Sequence, residues 1–189
     1  GTLERVFGQS YFRVVAGTVL LMLLLAFLMP SAVGRVTIML PVVLALADRL
    51  GFEADSNGRA GLILAVGMGT LISPFSILPA NVPNVVLSGL AESVHGIEFS
   101  YTDWLILHFP VLGLVGLIAL PVAIYILFPD KIADRPELEA QPSKPWTFNE
   151  KKLVGLLVLT LGLWATDNVH GVSPAWVSLG AGILCALPV

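Results

Sequence analysis

The sequence predicts an all-α polytopic membrane protein that contains a re-entrant helical hairpin and a broken transmembrane helix. The chain has 189 residues, of which 56% are hydrophobic and only 12% are charged, whereas soluble domains carry about 25% charged residues. Its mean hydropathy is +0.88, and the apolar residues form long uncharged blocks, two of which contain prolines next to polar residues. So few polar residues cannot cover a soluble domain, which indicates that lipid solvates much of the surface.

The uncharged blocks give the positions of the membrane segments. A helix needs roughly 20 apolar residues to cross a bilayer. The blocks without Asp, Glu, Lys or Arg are 14–34, 36–47, 60–91, 104–129, 153–166 and 168–189. Block 104–129 predicts one simple crossing, and the last two blocks predict a crossing and the start of another.

The first apolar region, 14–47, is too long for one crossing and is interrupted at 30–35 by proline, glycine and arginine. Lys and Arg mark cytoplasmic loops, and they occur in 1–13, 48–59 and 130–152, whereas 92–103 and 167–173 have none. A re-entrant hairpin over 14–47 places all three basic loops on the cytoplasmic side. Two complete crossings satisfy the charges equally, but the second arm, 36–47, is short for a full span, which favours the hairpin.

The block 60–91 is also too long for one crossing, and it contains Pro74, Pro79 and Pro83. Proline removes a backbone donor and clashes with the preceding turn. Non-helical backbone is tolerated at membrane depth only where protein or a water-filled cavity satisfies its polar groups. This block therefore predicts a broken helix whose interruption is buried in protein.

Three units follow from these assignments. They are 1–128, with the hairpin (14–47), the broken helix (60–91) and a transmembrane helix (104–128); 129–149, a cytoplasmic linker and interfacial segment; and 150–189, two further helices. In the interfacial segment, Trp146 suits the headgroup level, and Thr147 with Glu150 matches a capping box. The chain begins at Gly1 and ends inside an apolar block, so we expect it to be a part of a longer protein. No segment resembles a signal peptide.

Arg35 is the only full charge inside an apolar region, and such residues usually face a cavity or a partner. It lies beside the first interruption, near Ser31, Gly34 and Thr37. A guanidinium can hold a carboxylate or sulfate through two parallel hydrogen bonds. The alternatives are that Arg35 pairs with an acidic side chain elsewhere in the protein or extends to the cytoplasmic face.

The second interruption places Ser73, Ser76, Asn81 and Asn84 among prolines. Their oxygens, with freed backbone carbonyls, could ligate a hard cation such as sodium. Alternatively, they only cap freed backbone groups. Two broken helices in one chain indicate an ion or substrate site at mid-membrane depth.

Other chemistries are not indicated. The net charge is −3, which gives no support for nucleic-acid binding, and the single cysteine, Cys185, has no disulfide partner. The three histidines show no metal-ligand spacing. No nucleophile–base pair lies within the apolar blocks, so we expect no enzyme activity and no cofactor or metal except possible sodium ions.

The first interruption resembles a motif of the divalent anion–sodium symporter (DASS) family, in which a hairpin tip reads Pro-Ser-Asn-Thr-Ala-Arg and is followed by an early Leu-Pro. Residues 30–35 read Pro-Ser-Ala-Val-Gly-Arg, and Leu40-Pro41 follows. Ala32 and Val33 replace the amide and hydroxyl of the family motif, which leaves sodium coupling and dicarboxylate specificity open. The second interruption, 78–84, is similar to the family's Gly-Thr-Pro-Pro-Asn, with Pro83-Asn84 as the direct match.

The resemblance implies a fold of two inverted repeats whose hairpin tips and broken helices surround one anion and its sodium ions. This chain would supply the later part of the first repeat and the opening helices of the second, and would not transport alone. The implied substrate-binding residues are Ser31, Ala32, Val33, Gly34, Arg35, Thr37, Pro83 and Asn84. The expected sodium-binding residues are Ser31, Ser73, Ser76, Asn81 and Asn84.

The implied function is secondary active transport of a small divalent anion, a dicarboxylate or sulfate, coupled to sodium or to exchange. The implied setting is a multi-pass protein in the inner membrane of a prokaryote, homodimeric at full length, with an elevator-like motion. A cation/proton antiporter of the same superfamily usually needs a titrating membrane carboxylate, and the apolar blocks contain none. A structural membrane subunit is the remaining alternative. On this reading, Arg35→Ala abolishes uptake and leaves folding intact.

Overall fold

The computed structural model describes residues 10–132 and 147–186, so most of the predicted linker, including Trp146, lies outside the described residues. The all-α class is confirmed, since no strand occurs in those two ranges. The helices are α1 (Tyr11–Leu28), α2 (Ala32–Arg49), α3 (Asn57–Gly69), α4 (Val82–His95), α5 (Tyr101–His108), α6 (Gly116–Leu127), α7 (Phe148–Ala165), α8 (Asp167–His170) and α9 (Pro174–Ala186).

Helices α1 and α2 are joined by a break of three residues at 29–31. Pro30 has no N–H to continue the helix, and Ser31 starts the next one because its Oγ accepts a hydrogen bond from the Gly34 N–H at 3.1 Å. Helix α2 therefore begins four residues before the predicted arm and is 18 residues long, as is α1. At 1.5 Å per residue it spans about 27 Å, so the argument from a short second arm does not hold.

Helix α3 ends at Gly69, and the chain continues through two short 3₁₀ turns, Ser73–Ser76 and Leu78–Ala80, before α4 begins. The prolines that predict this interruption lie at the first or second position of each turn and of α4. Proline is tolerated there because those N–H groups have no helical partner. The second break thus occupies about twelve residues between two helices.

The predicted single crossing is a continuous helical segment of 27 residues, Tyr101–Leu127. It starts three residues before block 104–129, because Ser100 and Asp103 form a capping box. A π-helical stretch, Phe109–Val115, separates α5 from α6. Together with Tyr11–Leu28 and Asn57–Ser76, this gives three described segments long and apolar enough to cross a membrane.

The last helices differ slightly from the prediction. The expected turn at 167–171 is the short helix α8, followed by Gly171 at φ +68°. Helix α7 begins directly after Thr147, whose carbonyl accepts from the Lys151 N–H at 3.1 Å.

The core forms where α1 packs against α3 and α6. Val15, Val19 and Met22 of α1 are fully buried there. A second cluster of apolar side chains lies around the second break and includes Ile77 and Trp104. In contrast, α4 buries only Asn84 and leaves its large apolar side chains exposed. An apolar exterior of this kind suits contact with lipid or further protein.

Candidate functional site

The two breaks meet at Arg35, as the sequence predicts. Its side chain is fully buried, and each of its five N–H groups has a protein acceptor. Nε donates to Thr70 Oγ1 at 2.9 Å, and the two Nη atoms donate to backbone carbonyls and to one side-chain amide. These acceptors are Met29 O (2.5 Å), Ala80 O (3.2 Å), Thr70 O (3.1 Å) and Asn81 Oδ1 (3.3 Å). We call Met29, Arg35, Thr70, Ala80 and Asn81 the junction.

The charge of Arg35 is not matched by a carboxylate within the described residues. All five acceptors are neutral, and the only salt bridge found in that part of the chain joins Arg59 to Asp48. Arg35 does not extend to the cytoplasmic face, so this alternative is wrong. A buried charge is costly unless an opposite charge compensates it, so the junction carries a positive charge that favours an anion nearby.

Direct anion binding by the guanidinium fork stays a prediction. A bidentate contact would require Arg35 to release two of its present acceptors, because a guanidinium has only five donors. The same geometry changes the expectation for Arg35→Ala. Removing the side chain would leave five polar groups without their donor, so we expect the fold to lose stability as well.

Asn81 lies 7% exposed at the end of the second break, just before α4. Arginine has no acceptor, so the Asn81 atom that faces Arg35 must be the amide oxygen. The Nδ2 group is buried and has no hydrogen-bond partner among the residues that the structure describes. Asn81 therefore presents a donor, which suits an anion and not a sodium ion.

The side-chain amide of Asn84 is oriented the opposite way from that of Asn81, because its NH₂ group is the end that bonds to the protein. Its Nδ2 donates to the carbonyls of Phe75 at 3.1 Å and Ile77 at 2.8 Å, and carbonyls only accept. Its Oδ1 is therefore directed away from these two carbonyls. Asn84 therefore presents an acceptor, which suits a hard cation.

The two serines of the second break are fully buried. Ser76 Oγ donates to Ser73 O at 2.6 Å, which is the local capping role considered above. Ser73 Oγ has no partner among the described residues. Its lone pairs therefore make it a second oxygen that could bind a cation.

The residues of the first break lie mostly at the surface. Ser31, Val33 and Thr37 are exposed, and Ala32 and Gly34 are half-buried. Thr37 Oγ1 bonds to Val33 O within its own helix, and the Ser31 hydroxyl caps α2. Pro83 is exposed and lines a groove of about 410 Å³ with Asn84, Trp104 and His108. The rings of Trp104 and His108 stack there, with their centroids 4.2 Å apart.

Sequence reasoning did not identify Thr70. It is 2% exposed and contributes two acceptors to Arg35, and its own hydroxyl donates to Ala32 O at 3.4 Å. It thus bonds the end of α3 to the start of α2. A threonine immediately after the last residue of an apolar helix was the available signal.

Known proteins resemble the chain over most of its length. Residues 2–189 match the family model described as the sodium:sulfate symporter transmembrane region. Dicarboxylate transporter 1 from the chloroplast of Spinacia oleracea is 29% identical over 192 residues, covering 95% of this chain and 34% of that protein. Inner membrane protein YbhI of Escherichia coli (strain K12) is 28% identical over 171 residues, covering 86% and 36%.

An L-tartrate/succinate antiporter of Escherichia coli is 29% identical over 119 residues, which is 58% of this chain and 24% of the antiporter. The chain therefore spans about a third or less of the length of these relatives. Because the family model matches almost every residue, the chain belongs to the sodium:sulfate symporter transmembrane family and is a multi-pass membrane protein.

Proposed function

We propose that the full-length protein carries a small divalent anion, a dicarboxylate or sulfate, across the membrane and that the junction forms part of its anion site. The observation that carries this proposal is the charge of Arg35, which is fully buried and has only neutral acceptors. Relatives named as dicarboxylate transporter and tartrate/succinate antiporter support the same substrate class.

Coupling to sodium is the finer part of the proposal. Ser73 Oγ is a buried oxygen without a hydrogen-bond partner in the described chain, and the Asn84 amide is oriented with its NH₂ group on the Phe75 and Ile77 carbonyls and its oxygen directed away from them. Sodium takes oxygen ligands of this kind at unwound helix segments. The description of the family supports sodium, whereas the antiporter relative supports exchange.

We further propose an inner-membrane location and a homodimeric full-length protein. The location rests on the relative named as an inner membrane protein. The dimer is an expectation from the family resemblance.

The test is uptake of radiolabelled succinate and sulfate by the purified full-length protein in vesicles. We expect saturable uptake of at least one probe, faster with an inward sodium gradient than with potassium. Vesicles preloaded with unlabelled succinate separate exchange from symport, because exchange needs the internal substrate and symport does not.

Correctly folded protein that takes up neither probe beyond protein-free vesicles would contradict the proposal. Uptake that is unaffected by sodium but requires internal succinate would retain the anion substrate and reject sodium coupling.

A further inference from the structure

Asn81 occupies the cap position of α4 but does not cap the helix. Asparagine at this position usually accepts a hydrogen bond from an N–H of the first turn. Here the side chain makes no such bond, and its oxygen accepts from Arg35 Nη2 instead. Because Arg35 can only donate, this contact determines which end of the amide faces away from the guanidinium.

The opposite end of the amide is a buried donor without an acceptor in the described residues. An unmade hydrogen bond of this kind is destabilising when the group is removed from water. The donor lies at the N-terminus of a 14-residue helix, where the helix dipole favours negative charge. The donor, the dipole and the guanidinium all favour an oxygen that bears negative charge.

We propose that Arg35 is a positioning residue that fixes the Asn81 amide with its NH₂ group directed at the transported anion. Asn81 thereby becomes the residue that selects an anionic oxygen and excludes a cation from this position. This inference rests on the proposed function, since it assigns a contact within the same site.

The test compares Asn81→Asp with Asn81→Ala in the full-length protein, with succinate and sulfate as probes. Aspartate keeps the acceptor that Arg35 needs and adds an opposite charge, but it replaces the outward donor with an acceptor. Alanine removes both. We expect the KM for uptake to rise about tenfold in Asn81→Ala, from loss of one hydrogen bond. It should rise about a hundredfold or more in Asn81→Asp, from repulsion between like charges.

The variant with the larger rise in KM, Asn81→Asp, should have the higher melting temperature of the two. Asn81→Asp should be at least as stable as the wild type, because the carboxylate pairs with buried Arg35, and Asn81→Ala should be less stable. A purely structural asparagine would instead give KM values that follow stability. The matched control is Asn57→Asp, the same change at an exposed position on α3, for which the KM should stay at the wild-type value.

A double-mutant cycle tests the role of Arg35. Lysine keeps the positive charge but cannot satisfy five acceptors in a fixed plane, so the Asn81 amide loses its fixed orientation. We expect Arg35→Lys to raise the KM and Asn81→Ala to raise it much less in that background than in the wild type. Additive effects on KM would show that Arg35 does not act through Asn81.

The outcomes separate this inference from the proposed function. A wild-type protein that transports neither probe refutes both. An active wild type with unchanged KM in Asn81→Asp refutes only this inference and indicates that the Nδ2 acceptor is a carbonyl elsewhere in the protein. If Asn81→Asp does not fold, Asn81→Ala and the double-mutant cycle decide the question. A tenfold rise in KM for Asn81→Ala that shrinks in the Arg35→Lys background would support the inference. Additive effects of the two substitutions on KM would refute it.

Discussion

Arg35 shows how far single residues could be interpreted from the sequence. A lone charge in an apolar region beside a proline predicts a buried functional position, and the structure places Arg35 fully buried between the two breaks. The sequence could not show that every N–H is already bonded, because four of the five bonds reach residues 35 to 46 positions away. The orientation of the Asn81 amide depends on one of these long-range contacts, whereas that of Asn84 depends on the carbonyls of Phe75 and Ile77 within the same break.

At the scale of single residues, a substitution of Thr70 tests the hydrogen bonding of Arg35. Thr70→Val keeps the side-chain shape but removes the acceptor of Arg35 Nε and the donor to Ala32 O. We expect the variant to lose about 1–3 kcal/mol in free energy of unfolding, because a buried charged donor is left without its partner. Denaturant unfolding of the full-length protein in detergent provides the measurement.

The control is Thr160→Val, since the Thr160 hydroxyl bonds to Leu156 O within its own helix. That variant should stay within about 0.5 kcal/mol of the wild type. Equal losses at both positions would mean that the bond to Arg35 contributes nothing specific.

At the scale of the elements, proline clusters located both breaks because proline cannot continue a helix. Helix ends were less accurate. The charge of Arg35 suggested an arm that starts at 36, whereas the Ser31 cap starts α2 at Ala32 with Arg35 inside its first turns. Likewise, the capping box at Ser100 starts the helical segment Tyr101–Leu127 three residues before the uncharged block. Local capping bonds, and not charge, set these ends.

Helix α6 packs closely against the start of the second break, and a substitution of Gly116 tests this contact between elements. A Cβ on Gly116 would lie 2.9 Å from both Ile72 Cγ2 and Ser73 Oγ. Gly116→Ala must therefore displace the start of the break, at a cost of about 1–3 kcal/mol in free energy of unfolding.

Gly89 on α4 is the matched control, since nothing lies within 4 Å of its added Cβ. There, alanine should leave the melting temperature unchanged or slightly higher. A Gly116→Ala protein that melts with the wild type would contradict the close packing of α6 against the break.

For the whole molecule, the family resemblance found in the motifs at 30–35 and 78–84 agrees with the match of the family model over residues 2–189. The fold class followed from composition, because lipid-exposed helices need apolar exteriors. The order of the helices could be predicted as well. The choice between a re-entrant hairpin and two crossings could not be predicted. Helices α1 and α2 have equal lengths, and their sequences do not indicate how deeply each helix enters the membrane.

The central claim is that a divalent anion binds at the junction of the two breaks. The most direct test is the rate at which N-ethylmaleimide labels a cysteine at position 33 in the variant Val33→Cys. The Val33 side chain is 77% exposed and lies two residues from Arg35 in the sequence. The background is the full-length protein with its native cysteines, including Cys185, replaced by serine. Val94→Cys, at the far end of α4 and 67% exposed, is the matched control. We expect succinate or sulfate, but not chloride, to slow labelling at position 33 and to leave position 94 unchanged. Equal rates at position 33 with and without both divalent anions, or equal slowing at both positions, would contradict an anion site at the junction.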